Sequence, residues 1–138
     1  MGGGGGGGTF SGTEGSSSNQ NMNRIFKSTD PYLADTANAI ESIFPGRVTA
    51  INKIVKDANN KIITDYDIEL DTVIIQVKSG SAKGLTTQIK NTAQSTGKTV
   101  IGYVPNLNSS SAVVKGVKRE GYECFTSLED LLNYLSDH

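Results

Sequence analysis

Asp65, Asp67, Glu69, Gln76 and Lys78 lie close together in one stretch, DYDIELDTVIIQVKSG, residues 65–80. If the chain turns at Asp71-Thr72, an antiparallel hairpin sets Asp67 opposite Gln76 and Asp65 opposite Lys78. Side chains alternate along a strand, so these five residues share one face. Tyr66, Ile68, Val73, Ile75 and Val77 share the other, which is apolar and buried. Opposed side chains stand about 5 Å apart. Oxygen ligands beside an ammonium group make a site for a hard divalent cation, Mg²⁺ or Mn²⁺. Such an ion eases deprotonation of a bound water and neutralises charge on a phosphate. Lys78 is placed to orient or activate the attacking water, or to stabilise the charge that develops on the phosphate. Phosphodiester hydrolysis is the reaction that fits these residues best.

The composition narrows the chemistry. The chain has one cysteine, Cys124, and one histidine, the terminal His138. An internal disulfide, a multi-cysteine zinc site and a positioned catalytic histidine are not expected. The 138 residues suffice for one domain. Residues 1–22 are rich in Gly, Ser, Asn and Gln and have little to bury, so they read as a flexible leader. Residues 23–138 then form the single folded domain. The N-terminus lacks the basic and apolar regions of a secretory signal. No apolar run approaches the roughly 20 residues that span a bilayer.

The net charge of −1 conceals a segregation along the chain. Residues 31–71 carry four basic and seven acidic side chains, and residues 72–122 carry seven basic and one acidic. Residues 123–138 carry four acidic and none basic. One polyanion-facing surface on a near-neutral protein is the functional reading; lysines on solvated helix faces is the structural one.

The elements that must position the hairpin follow from pattern and punctuation. Asp30-Pro31 opens a helix as N-cap and first residue. Leu33, Ala37, Ile40 and Phe44 form its inner stripe, with Glu41 at the stripe's edge, and Pro45-Gly46 ends it. Residues 47–55 read as a strand, 57–60 as a turn, and 61–70 with 73–78 as the hairpin. Ser79-Gly80-Ser81 caps a helix over about 82–95, with Leu85, Ile89 and Ala93 inward and Gly97 as its C-terminal cap. TVIGYV, residues 99–104, is a central strand. A helix over 109–120 closes at Gly121, and residues 122–125 make a short strand. Thr126 and Glu129 form a capping box before a helix whose inner face is Leu128, Leu131, Leu132 and Leu135. The order α-β-β-β-α-β-α-β-α is that of an α/β domain with a mixed sheet.

An acid on the first strand of a hairpin, followed by Q-V-K on the second, resembles the PD-(D/E)XK, or restriction-endonuclease-like, nuclease superfamily. Residues 31–104 match its α-β-β-β-α-β core in order, leaving two additional C-terminal helices. By this resemblance Asp67, Gln76 and the helical Glu41 are the metal ligands, and Lys78 completes the catalytic set. Gln76 departs from the usual acid, leaving the ligand set one charge poorer, which Glu69 or Asp65 can offset. Lys83, Thr86, Gln88 and Lys90, on the helix after the site, are the candidate nucleic-acid contacts.

IIQVKSG, followed by KGLTTQIKNT and TGKTVIGYVPN, is similar to the C-terminal toxin domains of contact-dependent growth-inhibition and related polymorphic toxin systems. That resemblance implies an RNase, with transfer RNA as substrate. It also implies a cognate immunity protein, secretion as part of a larger carrier and action in the target-cell cytoplasm. Two alternatives stand beside it. One is a DNA endonuclease of the same superfamily, with the same active site. The other is a non-catalytic nucleic-acid-binding module on a decayed nuclease scaffold, with Gln76 as the trace of decay.

Overall fold

In the computed structural model, residues 25–138 are described. The leader expected over 1–22 lies outside them. Helix α1, Pro31–Ile43, begins where Asp30 accepts the N–H groups of Tyr32 and Leu33. It buries Leu33, Ala37 and Ile40 and ends before Gly46, whose φ of +87° suits glycine. Strands β1 (Val48–Lys56), β2 (Ile62–Leu70) and β3 (Val73–Val77) form an antiparallel meander. Helix α2 (Leu85–Ala93) then crosses to β4 (Thr99–Tyr103), which pairs parallel to β3. Helix α3 (Ala112–Arg119), strand β5 (Cys124–Phe125) and helix α4 (Leu128–Ser136) complete the chain. The five-stranded sheet has the order β1-β2-β3-β4-β5 and is mixed, as expected.

Two cores flank the sheet. One joins Leu33, Ala37 and Ile40 of α1 with Ile68, Ile75, Val77 and Ile101, and with Leu131 and Leu135 of α4. The other joins Leu85 and Ile89 of α2 with Tyr66, Ile74 and Val100, and with Val114 and Val117 of α3. Gly102 in β4 makes room for α2. A Cβ there would stand 3.1 Å from Ile89 Cδ1, 3.2 Å from Leu85 Cδ2 and 3.3 Å from Cys124 Sγ.

Several local expectations shift. Tyr66 does not share a face with Ile68: it joins the α2 core, while Ile68 joins the α1 core. Across the hairpin Ile51 pairs with Ile68 and Lys53 with Tyr66, so Asn52, with φ of 52°, stands opposite Asp67. The strand pair changes faces at that step, which is why simple alternation misassigned Tyr66. Helix α2 begins at Leu85 rather than near residue 82, because Gly80, Ala82 and Gly84 all take positive φ and hold the chain in a loop. Its C-terminal cap is Gln94, not Gly97. The cap of α4 is Ser127, which accepts from Asp130 N, rather than Thr126.

Candidate functional site

The register of β2 on β3 is Ile68↔Ile75 and Glu69↔Ile74, which sets Asp67 opposite Gln76. Just there the regular ladder stops, and the two strands fork. Side chains replace the missing backbone bonds. Asp67 N–H donates to Gln76 Oε1 (3.1 Å), and Gln76 Nε2 donates to Asp65 O (2.7 Å) and Thr92 Oγ1 (2.7 Å). Val77 N–H donates to Asp67 Oδ2 (2.9 Å). Buried backbone groups require partners, and at this fork two side chains supply them.

A cleft of about 530 Å³ opens at the mouth of the fork. Ser28, Thr29, Asp30 and Leu33 line it from the start of α1, Asn52 from β1, and Asp65 and Asp67 from β2. Val77, Lys78 and Ser79 come from the end of β3, and Gln88 from α2. Asp67 is only 8 % exposed. Burial pushes its carboxyl up from 3.8 to about 7. The charges of Asp65 and Asp30 push the same way, while the Val77 N–H and Lys78 pull it back. Lys78 is half-buried and, among the described residues, enters no ion pair.

The expected residues divide. Asp67, Lys78 and Gln88 meet in the cleft, with Asp65 beside them. Gln76 is fully buried on the α2 side, outside the cleft lining. Its amide is committed to the fork: Oε1 must accept and Nε2 must donate, a pattern that a carboxylate cannot supply. Glu41 is also buried, and both its oxygens accept from Gly46 N–H at 3.3 Å. It sits eight residues beyond Leu33, about 12 Å along the helix, and so does not reach the cleft. Glu69 pairs with Lys53 (3.4 Å) and Lys98 (2.9 Å). Burial raises its carboxyl, but the two lysines outweigh that and hold it below the ordinary value.

On α2, Thr86 lies against Gly116 of α3, and Lys90 pairs with Glu120 at 3.2 Å. Both are on the flank of α2 away from Gln88, while Lys83 is exposed on the preceding loop. Sequence reasoning placed Asp30 only as a helix cap. Its proximity to Asp67 depends on how α1 crosses the sheet, which local pattern does not carry.

The expected trio of Asp67, Gln76 and Glu41 is therefore not assembled. Among the described residues, no group of three or more His, Cys, Asp or Glu side chains is arranged to hold a metal ion. Asp67 and Asp65 remain, and one or two carboxylates, with waters and substrate phosphate, are the usual way of holding Mg²⁺. Among the described residues, no helix is long and apolar enough to cross a membrane. Comparison of the chain with protein-family models, with curated proteins and with solved structures returned no match.

Proposed function

We propose that the cleft hydrolyses phosphodiester bonds of a nucleic acid, as a nuclease of the PD-(D/E)XK kind acting on RNA, with transfer RNA as the substrate. The observation that carries this reading is the meeting of Asp67, Asp65 and Lys78 at the fork between β2 and β3. Asp67 and Asp65 would hold Mg²⁺ or Mn²⁺, which when bound supplies charge neutralisation and an acidified water. Asp67 keeps one oxygen on Val77 N–H, which fixes the carboxylate's direction. Lys78 lines the same cleft, where its ammonium would stabilise negative charge on the phosphate oxygens. Burial chiefly, and the charges of Asp65 and Asp30 after it, raise the Asp67 carboxyl, and a cation bound in the cleft would lower it. The toxin setting, with a carrier, a target cell and a cognate immunity protein, belongs to the same proposal and rests on the sequence resemblance.

The test is incubation of purified protein with total RNA and, separately, with plasmid DNA, in Mg²⁺, Mn²⁺ or EDTA. Metal-dependent loss of a discrete RNA species, absent in Asp67→Asn and Lys78→Ala, is the expected result. Cleavage of DNA alone would assign the DNA endonuclease reading. Mg²⁺ should also raise the melting temperature of the wild type above pH 7 and leave Asp67→Asn unmoved, because only a ligand bound to the folded state stabilises it.

The burial of Gln76 favours a second reading, a nucleic-acid-binding module without catalysis. Binding of RNA with no cleavage in either metal would establish it.

A further inference from the structure

The β1–β2 hairpin continues past the cleft as an arm. Residues 52–63 are exposed except for the half-buried Val55. Between residues 53 and 63 the arm carries Lys53, Lys56 and Lys61 against a single acid, Asp57. The Asp57 carboxylate is occupied by its own turn, accepting from Asn59 N (2.8 Å) and Lys61 N (3.0 Å). Lys56 and Lys61 enter no ion pair among the described residues. The arm also exposes aliphatic surface: Ile54 is 58 % exposed and Ile63 44 %.

The arm's orientation follows from the change of faces at Asn52 and Asp67. Beyond it, Thr64 bonds Thr92 of α2 (2.9 Å), and Lys53 lies over the Tyr66 ring, 5.9 Å from its centroid. Residues 53, 64 and 66 therefore face α2. Ile54 and Asp65 face the opposite way, paired directly, and Asp65 lines the cleft. Ile63 is two residues from Asp65, about 7 Å along the strand, at the register shift where Lys56 pairs with Ile62. An aliphatic platform thus adjoins the acids, and unpaired lysines stand at its outer end.

We propose that this arm holds the substrate strand: Ile54 and Ile63 carry an unstacked base next to the phosphate in the cleft, and Lys56 and Lys61 hold backbone phosphates beyond it. The proposal rests on the nuclease reading and adds the substrate class, a single-stranded or looped nucleic acid rather than a duplex. A duplex keeps its bases stacked and away from such a platform. Aliphatic side chains engage bases where the stack is opened, and basic side chains bind phosphate irrespective of sequence.

The test uses the full chain in EDTA, so that binding is read without cleavage. A fluorescent single-stranded RNA of about 12 nucleotides, and the same sequence as a duplex, are titrated at several salt concentrations. Ile54→Ser with Ile63→Ser should weaken single-strand binding about tenfold and leave the salt slope and duplex binding unchanged. Lys56→Ala with Lys61→Ala should reduce the slope of log K on log salt by about 1.4, two phosphates at about 0.7 each. Lys115→Ala with Lys118→Ala, on exposed positions of α3, is the control and should change neither. Circular dichroism checks that each variant is folded.

Wild-type affinity in the arm variants, or equal losses for duplex and single strand, would overturn the arm's role. So would an oligomer of the wild type that Ile54→Ser disperses, because it would make the platform a protein interface. In each of these cases metal-dependent cleavage by the wild type would leave the nuclease reading standing. Failure of the wild type to bind or cut any nucleic acid would remove both.

Discussion

Asp67 holds the most constrained position in the cleft, and its behaviour with pH is predictable. The folded protein keeps its proton up to about pH 7, whereas the ordinary value is 3.8. The folded state therefore binds the proton more tightly than the unfolded chain. The stability this confers is complete below about 3.8 and is lost as pH rises through about 7. Asp67→Asn removes the dependence. In EDTA its melting temperature should exceed the wild type's by more near about pH 8 than near about pH 5, because the wild type loses stability steadily between about 3.8 and about 7. An equal difference at both pH values would show that the carboxyl is not perturbed. Asp67→Ala is the poorer variant, since it leaves the buried Val77 N–H without its acceptor.

Gln76→Glu tests the fork. It removes two donated bonds and buries a charge against the Asp65 carbonyl, at a cost of about 2–4 kcal/mol, measurable by urea denaturation. Glu41→Gln should leave any cleavage rate within about threefold, since Glu41 is held at Gly46 and away from the cleft. A loss as large as that of Asp67→Asn would restore Glu41 to the site.

At the scale of elements, punctuation and periodicity were good guides where the cause is local. Asp30 caps α1 with its own carboxylate, Gly46 and Gly121 sit just past helix ends at positive φ, and the turn at Asp71-Thr72 sets the β2–β3 register. They were poor guides where the cause is tertiary. Tyr66 follows a change of faces at Asn52, and α2 starts late because three left-handed positions, Gly80, Ala82 and Gly84, absorb the chain before it. Gln76 could be placed opposite Asp67 from sequence. Its inward turn could not, because that depends on Thr92 arriving from α2. Arrival at that depth is permitted by Gly102, and Gly102→Ala tests it. The added methyl must displace Ile89, Leu85 or Cys124, a cost of about 1–3 kcal/mol, seen as a lowered melting temperature. An unchanged melting temperature would mean that the ends of the Ile89, Leu85 and Cys124 side chains give way by the few tenths of an ångström required.

Across the whole molecule, the seven basic residues of 72–122 do not form a single patch around the cleft. Lys90 is spent on Glu120 and Lys98 on Glu69, while Lys78 lines the cleft. The charge run visible in the sequence is thus divided between structural pairing and the site. In chain order, the β2–β3 turn also divides the residues that line the cleft. On one side lie α1, β1 and β2, with Asp30, Asp65 and Asp67; on the other lie β3, α2 and β4, with Lys78 and Gln88. The exposed Asp71-Thr72 turn is the covalent link across that seam. Severed there, the chain would yield an acidic half and a cationic half, neither holding the whole constellation. Any activity would then report their reunion, as in a split enzyme whose halves work only when brought together.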